Sequence, residues 1–78
     1  MRQKRKYVVL TFRTTSQAMA MEKFCMENGV GGRMIPVPRE ISAGCGLAWR
    51  MEPAEYSAFQ QNYPEKEHEF DQAAELLL

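Results

Sequence analysis

The pattern of apolar and polar positions predicts a strand at the start of the chain, followed by a helix. The run from Lys6 to Phe12 is rich in β-branched and aromatic residues, and its nearly continuous apolar character is typical of an inner strand. From Gln17 to Asn28 the apolar positions recur at helical spacing, and Gly29 follows as a suitable C-cap. Hydroxyl side chains just before this segment supply N-cap candidates.

One face of this first helix is apolar and carries four residues at helical spacing, Ala18, Met21, Phe24 and Cys25. Cys25 therefore points into the core, where a cysteine behaves as a small apolar residue. Met19 and Met26 lie on a flank of the helix, where we expect partial exposure.

Two further apolar runs predict a pair of strands joined by a long connection. The second strand covers residues 30–37, and its prolines predict an edge strand or an end near Ile35, because proline cannot donate a ladder hydrogen bond. The third strand covers residues 46–51, and alternation places Leu47, Trp49 and Met51 on one of its faces.

The last third of the chain predicts a second helix and a short fourth strand. Pro53 suits the first turn of a helix that ends near Asn62, before Pro64. Residues 65–70 alternate weakly, which indicates a fourth strand. Residues 71–78 have helical propensity, and we expect this tail to be frayed or docked on a partner.

The predicted order of strand, helix, strand, strand, helix, strand is that of a ferredoxin-like α+β fold. It predicts one domain over residues 1–78, with a four-stranded antiparallel sheet and both helices on one sheet face. The second sheet face would be open to solvent, a ligand or another subunit. Residues 1–5 form a basic arm ahead of the first strand.

The charges are balanced overall and lopsided along the chain. Ten Lys and Arg face ten Asp and Glu, and through Arg50 there are nine basic and three acidic residues. This asymmetry indicates either an anionic ligand near the basic part or oppositely charged elements that lie side by side, and the second reading is favoured. No apolar run approaches the about 20 residues that cross a membrane, and no export signal is recognisable. We therefore expect a cytoplasmic protein with two free thiols.

Metal and cofactor chemistry find little support in the sequence. His68 is the only histidine, and the two cysteines are far apart, so we expect no metal site. There is no phosphate-binding or dinucleotide-binding glycine motif, and we expect no cofactor.

The connection between the second and third strands holds the leading chemical candidate. Cys45 stands between Gly44 and Gly46, and glycines allow another group to approach the backbone closely. Arginines lower the pKa of a neighbouring thiol, and Arg33, Arg39 and Arg50 are close enough in sequence to converge on this loop. The predicted site therefore combines the thiol with loop and anion-binding residues, namely Cys45, Arg39, Ser42, Gly44, Gly46 and Arg33.

The run from Ile35 to Ala48, with its Pro-Arg-Glu-Ile-Ser loop and Cys45-Gly46, resembles a small bacterial family of selenium/sulfur carrier protein-like domains. The resemblance spans roughly residues 7–63. It implies that Cys45 carries sulfur or selenium, as a persulfide or selenopersulfide, between a donor and an acceptor enzyme. Such a protein would be a stoichiometric carrier more than an enzyme with its own turnover.

Two other functions remain open from the sequence. A regulatory or structural module could form a homodimer through the open sheet face without any chemistry from Cys45. An RNA-binding domain of the same fold could stack bases on aromatics of the central strands, for which Tyr7, Phe12 and Trp49 are the candidates. Nucleic-acid binding is the less favoured of the two, because the total charge is zero.

Overall fold

The computed structural model describes residues 4–41 and 45–78, and these form one four-stranded antiparallel sheet with two helices. The elements, in chain order, are β1 (Lys6–Thr11), α1 (Thr15–Asn28), β2 (Arg33–Pro36), β3 (Leu47–Met51), α2 (Pro53–Asn62), a 3-10 helix (Pro64–Glu69) and β4 (Gln72–Leu77). The strands lie in the order β2-β3-β1-β4, with every neighbouring pair antiparallel. This arrangement confirms the predicted α+β, ferredoxin-like fold.

The core lies between the helices and one face of the sheet. Val8, Leu10 and Phe12 alternate onto this face and are buried. They belong to one apolar cluster, which also contains Ala18, Met21, Cys25, Trp49, Met51 and Phe59. The buried face of α1 is the predicted one, whereas Met19 and Met26 are exposed by 58% and 75%.

Polar contacts at both ends of α1 explain where the helix begins and stops. Thr14 is the N-cap, and its side-chain oxygen accepts a hydrogen bond from the backbone N–H of Gln17 at 3.1 Å. The Gln17 side chain in turn accepts from the backbone N–H of Arg13 at 3.0 Å. Gly29 ends the helix in the left-handed conformation, with φ 69°. The helix therefore begins two residues before the predicted start and ends as predicted.

The hairpin of β2 and β3 is shorter than the two predicted strands. β2 lies at one edge of the sheet, as its prolines predicted. It begins only at Arg33, because Gly32 adopts φ 142°, a conformation outside the strand region. Trp49 and Met51 of β3 are buried, and Leu47 packs against the core from its edge.

The second helix, α2, has the predicted bounds and is held mainly by aromatic contacts. Phe59 is buried in the core. The rings of Phe24 and Tyr63 meet edge to face with centroids 4.9 Å apart, which ties the end of α2 to α1.

The C-terminal segment differs from both predictions made for it. Residues 65–70 lie in a 3-10 helix and not in a strand, and the tail expected to be helical or frayed is the fourth strand. β4 pairs with β1 along its whole length, from Thr11 opposite Gln72 to Lys6 opposite Leu77. An isolated helix of this length is marginal in water, whereas β1 offers a complete row of backbone partners.

The centre of the second sheet face is buried within the single chain. Val9, Thr11 and Ala48 alternate away from the helices, and each has no exposed surface. The Thr11 hydroxyl is buried there without a hydrogen-bond partner among the described residues. Exposed apolar surface on this face is therefore limited to its rim, and a homodimer through it stays a prediction.

Among the described residues, three ion pairs join the basic first part of the chain to the acidic last part. They are Arg5 with Glu52 at 3.1 Å, Lys6 with Glu75 at 4.0 Å and Arg13 with Asp71 at 3.2 Å. The oppositely charged elements thus lie side by side, as the favoured reading of the charge pattern predicted. Neither α1 nor α2, the two α-helices of the described residues, has the length and apolar character that crossing a membrane requires.

Candidate functional site

Cys45 lies two residues before the start of β3, where the connection from β2 returns to the sheet. The backbone N–H of Val37 donates to the carbonyl of Gly46 at 3.1 Å and extends the hairpin past the strand ends. The connection starts with a tight turn, in which the N–H of Ile41 donates to the carbonyl of Pro38 at 3.2 Å. Arg39 and Glu40 occupy the exposed middle of this turn. Ser42 and Gly44, two residues of the predicted site, lie outside the described residues.

The Cys45 side chain sits at the boundary between the core and solvent. It is half-buried and packs against the apolar cluster. Its thiol donates a hydrogen bond to the backbone carbonyl of Leu47, with Sγ 3.5 Å from the oxygen. Only the protonated thiol can donate this bond, so removal of the proton releases the sulfur from its partner.

Gly46 gives the chain the turn that separates Cys45 from the strand. Its φ of 77° lies in the left-handed region, which side chains larger than glycine rarely adopt. A Cβ at this position would meet nothing within 4 Å, so the backbone conformation and not a lack of space requires the glycine. The role that the sequence suggested for this glycine, close approach to the sulfur, is not the one its surroundings require.

Cys25, the other free thiol, has very different surroundings. It is 1% exposed, on the core side of α1. Burial, with a smaller contribution from the charge of Glu55, raises the pKa of Cys25 from 9.0 to about 11. Cys25 therefore stays protonated at neutral pH, and a thiol in this state is a poor nucleophile.

The arginines expected to converge on Cys45 are spread along the hairpin. Arg33 pairs with Arg50 at one end of the β2–β3 ladder, whereas Pro36 pairs with Leu47 at the other end, next to Cys45. Pro36 lies three positions after Arg33 along the strand, a distance of about 10 Å. Only Arg39 shares the connection with Cys45. The structure thus keeps Cys45, Gly46 and Arg39 in one segment and places Arg33 elsewhere.

The aromatic residues considered for base stacking do not form a platform. Phe12 and Trp49 point into the core and are 0% and 3% exposed. Tyr7 lies on the second sheet face, where the guanidinium of Arg50 sits 4.4 Å from the centre of its ring. Of the three candidate rings only Tyr7 lies outside the core, and the Arg50 guanidinium already covers its face.

A metal centre finds no ligand set in the part of the chain that the structure describes. No three His, Cys, Asp or Glu side chains come together there. His68 is exposed on the 3-10 helix.

Two interactions of the thiols could not be predicted from the sequence. The carbonyl of Leu47 accepts from Cys45, and a backbone acceptor leaves no signature in residue types. Glu55 acts on Cys25 from 30 positions further along the chain, on another helix. Only the packing of α2 beside α1 brings them near each other.

Comparison with known proteins places these features in one family. The family model described as Putative Se/S carrier protein-like matches residues 6–74, a range that includes both cysteines and all the strands except the last three residues of β4. No curated protein and no solved structure matches the chain.

Proposed function

Because the chain belongs to the Se/S carrier protein-like family, we propose that it carries one sulfur or selenium atom on Cys45 between a donor and an acceptor enzyme. The observation that supports Cys45 as the carrier residue is the difference in burial between the two thiols of the chain. Cys45 lies at the surface of the hairpin connection, whereas Cys25 is sealed in the core.

Loading would be a thiol exchange that needs no added oxidant. The Cys45 thiolate attacks the outer sulfur of a persulfide on the donor enzyme, and a sulfur–sulfur bond forms at Cys45 as the donor's bond breaks. The donor leaves as a thiolate, and Cys45 becomes a persulfide. A selenium atom in the outer position follows the same path and gives a selenopersulfide.

Unloading would be the same exchange in the opposite direction. A thiolate of the acceptor attacks the outer atom of the Cys45 persulfide, and Cys45 leaves as a thiolate. When this thiolate takes up a proton it regains its bond to the carbonyl of Leu47. The empty carrier thus has a defined resting position for its sulfur, at the edge of the core.

The geometry supports access to Cys45 by a large partner. The residue lies in the connection of a hairpin at the sheet edge, and the turn at Arg39 and Glu40 in the same connection is exposed. The donor and acceptor enzymes could both reach the transferred atom without entering the core, because the outer atom of a persulfide lies about 2 Å beyond Sγ.

We propose that the loop residues stabilise the sulfur or selenium atom held on Cys45. Arg39 would hold the negative charge of a persulfide or selenopersulfide, and Ser42 and Gly44 would contribute from the same connection. Arg33 is left out, because it lies at the far end of β2. The two free thiols suit a reducing compartment, and we place the exchange in the cytoplasm.

The test is the intact mass of the protein after incubation with a cysteine desulfurase and either cysteine or selenocysteine. The wild-type chain should gain one sulfur or one selenium atom, and a reducing thiol should remove it. Cys25→Ala should load like the wild type, and Cys45→Ala should not load. Equal loading of Cys45→Ala and the wild type would overturn the assignment.

A further inference from the structure

A small cleft lies at the end of the sheet that is remote from Cys45. It forms where β2 begins and β3 passes into α2, and it has a volume of about 220 Å³. Its charged lining comes from three elements: Arg33 on β2, Arg50 on β3, and Glu52 and Glu55 at the start of α2. Tyr7 of β1 closes one side.

Two of these charges repel each other across the hairpin. Arg33 and Arg50 are direct partners in the β2–β3 register, and like charges in such positions are destabilising. Neither guanidinium has a carboxylate within 4.0 Å among the described residues. The Arg50 guanidinium is instead held over the Tyr7 ring, 4.4 Å from its centre. The hairpin therefore keeps two positive charges together without neutralising them.

The acidic side of the cleft is also only partly neutralised. Glu52 is paired with Arg5 at 3.1 Å. Glu55 has no ion-pair partner in residues 4–41 and 45–78, although it lines the same cleft as the two free arginines. Its carboxylate rests against Gly31, where a Cβ would overlap it. Two positive charges and one negative charge thus line the same cleft, and none of the three forms an ion pair among the described residues.

We propose that this cleft binds an acidic α-amino acid, with its two carboxylates at Arg33 and Arg50 and its ammonium at Glu55. Such a ligand carries two negative charges and one positive charge, the complement of the three unpaired groups. Guanidinium forks suit carboxylates, because their N–H groups form paired, charge-assisted hydrogen bonds. The ligand would also relieve the repulsion between the two arginines. The volume of the cleft suits a molecule of this size and excludes a folded peptide segment.

This binding site is separate from the carrier chemistry. Arg33 lies about 10 Å along the strand from the Cys45 end of the hairpin, so a molecule in the cleft does not reach the thiol. The proposal therefore stands or falls independently of sulfur transfer.

The test is calorimetric titration of the full chain with three small molecules that differ in charge. L-aspartate should bind at least tenfold more tightly than N-acetyl-L-aspartate, which lacks the ammonium, and than L-alanine, which lacks the second carboxylate. Equal affinity for L-aspartate and N-acetyl-L-aspartate would overturn the proposal, as would the absence of any binding of L-aspartate.

Substitutions on each side of the cleft locate the site. Arg33→Gln and Glu55→Gln should each weaken L-aspartate binding at least tenfold. Lys23→Gln and Glu27→Gln are the matched controls, because both residues are exposed on α1 and neither is in an ion pair among the described residues. These controls should leave the affinity unchanged. Circular dichroism melting of each variant verifies the fold, and a folded Glu55→Gln protein with wild-type affinity would contradict the assignment of the ammonium.

Discussion

At the scale of single residues, two identical side chains lie in different surroundings. Cys25 is enclosed by apolar side chains and lies near the negative charge of Glu55, and both conditions disfavour its thiolate. Cys45 stands at the edge of the same core with one backbone acceptor. Burial and the charge of Glu55 therefore mark Cys25 as a structural cysteine, whereas Cys45 is partly exposed.

We predict that alkylation at neutral pH modifies Cys45 well before Cys25. A pKa of about 11 in place of 9.0 lowers the thiolate fraction of Cys25 about 100-fold, and burial slows its reaction further. Iodoacetamide treatment followed by peptide mass mapping gives both rates in one sample. Denatured protein is the control, in which the two rates should converge. Similar rates in the folded protein would contradict the division of roles.

We also predict that the raised pKa of Cys25 weakens the protein at alkaline pH. Between pH 9 and 11 the unfolded chain releases the thiol proton while the folded chain keeps it, so the free energy of unfolding falls as the pH rises. The loss should be on the order of 2 kcal/mol, and it should be nearly absent below about pH 8, where the folded and unfolded chains both keep the thiol proton. Urea denaturation at several pH values measures it.

The control for this pH dependence is Cys25→Ala, which removes the thiol and keeps the other titrating groups. Tyr56 also has a raised pKa, from burial and the charge of Glu67, and it contributes equally to both proteins. The wild type should therefore lose more stability than the variant over this pH range. Parallel curves for the two proteins would show that the Cys25 pKa is not raised by folding.

The surroundings of Cys25 could be predicted from the sequence better than those of Cys45. Helical periodicity was enough to place Cys25 in the core, because the burial of a helix face follows from spacing alone. The neighbours of Cys45 depend on how a proline-rich connection returns to the sheet. Closeness in sequence therefore suggested an approach of Arg33 that the antiparallel register prevents.

At the scale of elements, the C-terminal strand shows how pairing overrides local propensity. The residues of β4 are mostly Ala, Glu, Gln and Leu, which favour helices. An unpaired edge of β1 would leave a row of backbone groups without partners, and β4 satisfies them. The weak alternation before it belongs to a 3-10 helix that follows Pro64. Residue preferences alone could therefore not have predicted that the fourth strand lies at residues 72–77 and not at residues 65–70.

We predict that proline is tolerated at Ala73 and disruptive at Ala74. Arg5 and Leu78 exchange both backbone hydrogen bonds, at 3.0 and 2.9 Å, and the antiparallel alternation then directs the N–H of Ala74 toward β1 and that of Ala73 outward. Ala74→Pro should therefore lower the free energy of unfolding by about 2 kcal/mol more than Ala73→Pro. Urea denaturation of both variants tests this, and equal destabilisation would argue against the register of β4.

At the scale of the whole molecule, the opposite charges of the two chain parts are used between neighbouring elements. Ion pairs link β1 and the residues beside it to β4 and to the start of α2. The remaining arginines of the hairpin, Arg33 and Arg50, are outside these pairs. Three basic residues of the first part are thus used in internal pairing, and we propose that Arg33 and Arg50 are available to a ligand.

We predict that these surface ion pairs add little stability each. A double-mutant cycle with Arg13→Gln and Asp71→Asn should give a coupling energy of about 0.2–1 kcal/mol, because the arginine side chain is 77% exposed. Arg13→Gln and Glu27→Gln form the control cycle, because these two residues lie near opposite ends of α1, about 20 Å apart, where the coupling should be near zero. A coupling near zero for Arg13 and Asp71 as well would show that the pair does not persist in solution.

The carrier proposal is tested most directly by a chase with an acceptor thiol. The protein is loaded by a desulfurase, separated from the donor and mixed with the acceptor, and the sulfane sulfur on each partner is followed by mass. The account predicts that the atom leaves Cys45 and appears on the acceptor one for one, with the Cys45 thiol restored. Sulfur that resides on another residue, or that stays on Cys45 in the presence of the acceptor, would contradict it.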